Sequence, residues 1–212
     1  MRRGHLAILA ALLACPRSLR AEEARPPPSS AHFLQYGVAL TLEWAASPGD
    51  VCPEPEHEHR CILGSGGGLT IRVGYRSRGP WYFGGAYELS RHESANLLRL
   101  AILQQLRAEL RHYFDSGTRL TPYVSAGLGA TLYGNEFTAD TGGAVGFLGG
   151  GLEFQISQST VIGAAIGYRP LLLRGWTDSA GERRADSYLG FGLAHFVALE
   201  AVLEVRDSLD RW

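Results

Sequence analysis

Residues 188–205 read YLGFGLAHFVALEAVLEV, and every second residue sorts them into two unlike rows. Leu189, Phe191, Leu193, His195, Val197, Leu199, Ala201, Leu203 and Val205 form one row, apolar except for His195. Gly190, Gly192, Ala194, Phe196, Ala198, Glu200, Val202 and Glu204 form the other, which mixes small residues with carboxylates. A period of two belongs to a strand whose faces meet different surroundings. In a soluble sheet the carboxylate row would face water, so the rest of the chain must decide which row points where.

The same alternation recurs upstream. Strands are predicted at Phe33–Trp44, Gly68–Ser77, Trp81–Ser90, Leu120–Tyr133, Ala144–Ile156 and Thr160–Leu172. Leu97–Phe114 also alternates, although its leucines suit a helix capped by Ser94. Its neighbours need a pairing partner and the DSGT turn at 115–118 follows at once, so a strand is expected there too. Pro122 and Pro170 lie inside these runs and point to strand ends or bulges, because proline gives no ladder donor. The expected fold is all-β: a closed antiparallel up-and-down transmembrane barrel of about eight strands. Connections at 78–80, 115–118 and 157–159 are short. Those at 45–67, 91–96, 134–143 and 173–187 are longer, polar or glycine-rich.

Charge placement fixes the orientation. With one parity chosen per strand, Glu43, Glu88, Glu109, Glu153, Glu200 and Glu204 lie opposite the apolar rows. Arg72, Arg76, Arg99, Arg107, Arg111 and Arg169 do the same. On a lipid-facing row each charge would cost ~2–4 kcal/mol at mid-membrane, whereas acids and arginines inside a narrow barrel can pair. The glycines and alanines beside them leave room for long side chains. A plugged, salt-bridged interior is therefore expected.

Residues 1–21 have the form of a cleaved export signal: Arg2 and Arg3, an apolar stretch from Leu6 to Ala14, and a cut after Ala21. The apolar stretch is too short to span a bilayer, and no run in the chain reaches the ~18 residues of a membrane helix. LLAC at 12–15 has the form of a lipid-attachment box at Cys15, beside the plainer reading of a cysteine inside a signal. Removal of residues 1–21 takes four arginines and shifts the formal charge from −1 to about −5. That balance argues against nucleic acid as a partner. Residues 22–32 carry three consecutive prolines and read as an extended periplasmic leader. The barrel is expected over 33–205, followed by a polar tail at 206–212.

The alternating strands, the PYVSAGLG run at 122–129 and the short/long rhythm of connections resemble the small outer-membrane barrels, the OmpA/OmpW-like, porin-like superfamily. The resemblance implies an outer-membrane location, both termini in the periplasm, and outer-membrane lipids and the barrel-assembly machinery as partners. Members end in a strand-terminal aromatic read by that machinery. Here RDSLDRW is polar and Trp212 has the parity of the inner row, which places the signal upstream around Val197–Val205 or makes the tail a periplasmic extension.

Chemistry-bearing residues are few. Cys52 and Cys61 flank PEPEHEHR, and in an exported chain a disulfide closing this loop is the expected state. Glu54, Glu56, His57, Glu58 and His59 offer metal-ligand types, but a solvated acidic loop is the simpler reading, and no metal or cofactor is assigned. His92-Glu93-Ser94 resembles the His-x-Ser of outer-membrane lipid A deacylases. No glutamate follows at matching spacing and both residues are expected in a loop, so no catalytic residue is assigned. The expected function is a non-enzymatic outer-membrane barrel with a structural or surface-interaction role. The alternatives are a narrow channel for small or apolar solutes, a lipid-modifying enzyme, and a soluble exported barrel with its apolar rows inward.

Overall fold

A computed structural model of the chain describes residues 31–47, 49–52, 61–178, 181–187 and 189–209. The signal, most of the leader, the acidic loop 53–60 and Trp212 lie outside these residues. Eight long strands close a barrel: β1 (Phe33–Ser47), β2 (Gly66–Arg76), β3 (Trp81–His92), β4 (Ala101–Tyr113), β5 (Leu120–Asn135), β6 (Thr141–Gln155), β7 (Thr160–Arg174) and β10 (Phe191–Ser208). Neighbours in sequence pair antiparallel, and β10 returns to pair with β1. The short β8 (Trp176–Thr177) and β9 (Arg183–Arg184) form a hairpin in the last long connection. Closure leaves no open edge, which is what an apolar exterior requires of backbone polar groups.

Registered partners run from Val38 through Ile71, Tyr87, Leu106, Ala130, Ala144 and Leu172 to Leu193, beyond the Trp44↔Val197 pair that rejoins β1. That climb around the wall is the stagger of a closed barrel, whose strands tilt roughly 35–45° to the axis. The β6–β7 ladder breaks between Leu148↔Tyr168 and Val145↔Leu171. Pro170 sits at this break, where it has no N–H to give.

The strand reading of the fourth segment holds over Ala101–Tyr113, but residues 97–100 form a bend rather than strand. Ser94 does not cap a helix. Its hydroxyl takes the Leu98 N–H at 3.3 Å and closes that bend. The connection between β5 and β6 is only 136–140, no longer than the 114–119 turn, because pairing continues to Tyr133↔Thr141. It therefore does not join the long connections. β10 runs on to Ser208, three residues past the expected end of the barrel.

Outward rows are apolar over the middle of the wall, with Leu40, Leu106, Leu128, Leu148 and Ile166 each at least 60% exposed. Outward charges sit only near strand ends, as with Arg91, Arg174 and Asp207. Aromatic residues flank the belt. Trp81 meets His112 edge-on at 4.6 Å, and Tyr36 donates to the Asp207 carboxylate at 3.0 Å. His195 also lies on the outward row, stacked on Tyr168 at 5.8 Å.

Candidate functional site

Inside the barrel, small residues make the space and charged residues fill it. Gly74 and Gly84 flank the buried Tyr82 ring so closely that a Cβ on either would collide with it. Glu43, Glu88, Glu109, Glu153, Glu200 and Glu204 are all buried, as are Arg72, Arg107, Arg111, Arg169 and Arg206. Arg76 is nearly so, with its side chain 15% exposed. Six carboxylates thus face six guanidiniums among the described residues.

Arg169 is the hub of the middle tier. Its Nη1 donates to Glu43 and Glu88, each at 2.7 Å, and its Nη2 to Glu200 at 2.5 Å. Arg107 donates to Glu88 at 3.0 Å and to Gln105 at 2.8 Å. Arg72 links Glu109 at 3.2 Å to Glu200 at 2.5 Å. The Phe147 ring lies 5.5 Å from the guanidinium carbons of Arg107 and Arg169 and gives both an aromatic face. Nearer the short turns, Arg111 donates to Glu204 at 3.1 Å, and Arg206 to Glu153. Tyr113 donates to Glu153 at 2.7 Å and Gln35 to Glu204 at 2.5 Å. Apart from Arg76, these ions are held by several partners, the condition under which buried charge is tolerated.

Eleven of the twelve charges read from the sequence point inward. Arg99 does not: it stands in the bend before β4, with its side chain 85% exposed and paired to Glu136 at 3.0 Å. Alternation persists through 97–100, yet the ladder starts only at Ala101. Arg206 lies one residue past the expected strand end at Val205, so the parity argument does not reach it. Glu200, Val202, Glu204 and Arg206 continue the inner row, so one further step of the same period would have found it.

The long-connection end is closed by an apolar cap. Val51, Cys52, Ile62 and Leu63 from the β1–β2 connection pack with Leu103, Tyr133, Leu171, Leu173 and Phe196 of the inner wall. Tyr133 donates its hydroxyl to the Ile62 carbonyl, and Ala185 N–H reaches the Asp50 carbonyl at 3.3 Å. Cys52 and Cys61 form a disulfide that holds the two arms of this connection. Nothing in a strand-by-strand reading shows that a loop folds into the lumen. The signal available was the apolar pair Ile62-Leu63 beside the second cysteine.

His92 is the last residue of β3 and buried, not in a loop. Its Nδ1 donates to the Gly64 carbonyl at 2.9 Å, while Ser90 Oγ and Glu43 Oε2 both lie 3.0 Å from Nε2. A serine nucleophile needs its acid and its hydroxyl on opposite ring nitrogens. Here they share one, and Ser94 Oγ takes the Leu98 N–H; the contacts of His92 join Glu43 of the charged tier to the Gly64 backbone beside the cap. Among the described residues no cluster of three metal-ligand types occurs.

No family model and no curated protein matches the chain. Among solved structures it is similar to the outer membrane protein AlkL, seen by solid-state NMR in DMPC bilayers, with 13% identity over 91% of this chain and 96% of that one, and a TM-score of 0.54. It is similar also to Neisserial surface protein A, with 15% identity over 82% and 96% and a TM-score of 0.51. Eight strands in closed up-and-down order, apolar outside and charged within, give this chain the fold of the small outer-membrane β-barrels.

Proposed function

We propose that this chain is a non-enzymatic integral outer-membrane protein whose filled barrel is a scaffold for its long connections. The single observation that carries this reading is the double closure of the lumen. Arg169 is fully buried and bonded to three carboxylates from β1, β3 and β10, so it ties three walls together across the interior. Above it the β1–β2 connection fills the mouth with apolar side chains. A conducting path would have to part both layers.

The outward belt supports the membrane setting. A barrel-wide apolar surface this continuous is not left to water. From Tyr36 to Trp44 the outward row rises roughly 20 Å at ~3.3 Å per tilted residue, close to the ~25 Å apolar band of such barrels. The short turns at 77–80, 114–119 and 156–159 then face the periplasm and the opposite end the exterior, where Phe137 of the brief 136–140 connection stands 85% exposed. The test is planar-bilayer recording with the refolded full chain. The reading expects no discrete conductance steps at 1 M salt, and reproducible steps from the wild-type chain would overturn the filled scaffold in favour of a narrow channel.

A further inference from the structure

The short-turn end of the barrel is unlike the capped end. It opens into a cavity of about 680 Å³ with Arg76, Arg206 and Tyr113 in its wall and Asp115 and Thr118 at its lip. Its cations exceed its anions. Arg76, Arg78 and Arg206 stand in its lining against Asp115.

Glu153 is already engaged. Its Oε2 takes Arg206 Nη2, and its Oε1 takes the Tyr113 hydroxyl at 2.7 Å and Gln35 Nε2 at 3.4 Å. Arg76 is left with the weakest share. Its Nη1 stands 3.5 Å from Glu153 Oε2, and this nitrogen has no hydrogen-bond acceptor. The guanidinium carbon instead sits over the Tyr113 ring, 3.7 Å from its centre. A buried charged donor without an acceptor is costly, and a charge-assisted hydrogen bond is the strong way to satisfy it. The part of the Arg76 side chain that remains accessible, 15%, lines the cavity together with Arg206.

We infer that this vestibule is a binding site for a small oxyanion, a phosphate or a carboxylate, taken by Arg76 and Arg206. That it opens to the periplasm rests on the orientation proposed above; the binding itself does not, and is measured in detergent whichever way the barrel inserts.

The experiment is isothermal titration calorimetry of the refolded full chain in detergent at constant ionic strength, with sodium phosphate and sodium acetate as probes in a chloride background. Saturable binding of both supports a site for oxyanions in general; binding of one alone assigns the site to phosphate or to carboxylate. Arg76→Gln is expected to weaken binding at least tenfold, since it removes a charge-assisted donor. Asp115→Asn keeps the 2.9 Å acceptor for Gly117 N–H but removes the opposing charge at the lip, and should tighten binding about threefold. If Arg76→Gln does not fold, Asp115→Asn and Arg76→Lys carry the test. Arg99→Gln, at the other end, should leave binding unchanged. No saturable heat with either probe, or the same affinity in the Arg76 and Asp115 variants as in the wild type, would overturn the inference.

Discussion

At the scale of single residues, value depends on how many partners a charge holds rather than on the charge itself. Arg169 serves three buried carboxylates, so Arg169→Met takes one partner from each of the three and should cost about 3–5 kcal/mol. Arg99, in contact with solvent and one exposed glutamate, should tolerate Arg99→Ala within about 0.5 kcal/mol. Urea unfolding in lipid vesicles, followed by tryptophan fluorescence, measures both. Equal effects would show that the network is not what holds the interior. Parity alone was enough to place Glu43, Glu88 and Arg107 inward, because a charge can occupy only one row of a strand in an apolar setting. It was not enough for Arg99 or Arg206, since alternation carries no mark of where a ladder begins or ends. The partners were not legible either: Gln35 and Glu204 meet across 169 positions of chain, a contact that only closure of the barrel brings about.

At the scale of elements, the β1–β2 connection does more than join strands. Its Ile62 and Leu63 are buried in the barrel mouth, and Leu63→Ala should cost about 2–5 kcal/mol, as for a core leucine. The disulfide closes a short loop at the root of this cap. Replacing Cys52 and Cys61 together with serine should lower stability by about 2–3 kcal/mol in the chain-entropy account. The same urea series checks both, and an unchanged midpoint in either would mean that the cap is not part of the folded core. The pairing of the cysteines was legible from the expected export signal and the even count that its removal would leave. The inward fold of the loop was not, because an apolar dipeptide in a loop does not say which surface it will cover. The strand reading over the helix at 97–114, which holds for 101–113, rests on the need for a pairing partner, an argument about neighbours rather than about the segment's own propensities.

At the scale of the molecule, two surfaces of opposite character share one wall, and each strand separates them by a single step of sequence. This makes the account sensitive to row rather than to residue type. Leu128 is 75% exposed at mid-belt, and Leu128→Arg should cost about 2–4 kcal/mol in a bilayer. The same change at Leu189, 84% exposed in the last long connection, should be near neutral. Were this outward row in water both would be harmless, so refolding yield into vesicles separates the cases. The most direct test of the central claim, a closed barrel with its apolar row in lipid, is heat-modifiability of the protein extracted from outer membranes. Unboiled and boiled samples are run side by side on a denaturing gel. The account predicts that the protein is in the membrane fraction and that the unboiled band migrates faster. A protein found in the soluble periplasmic fraction, with one mobility before and after boiling, would contradict it.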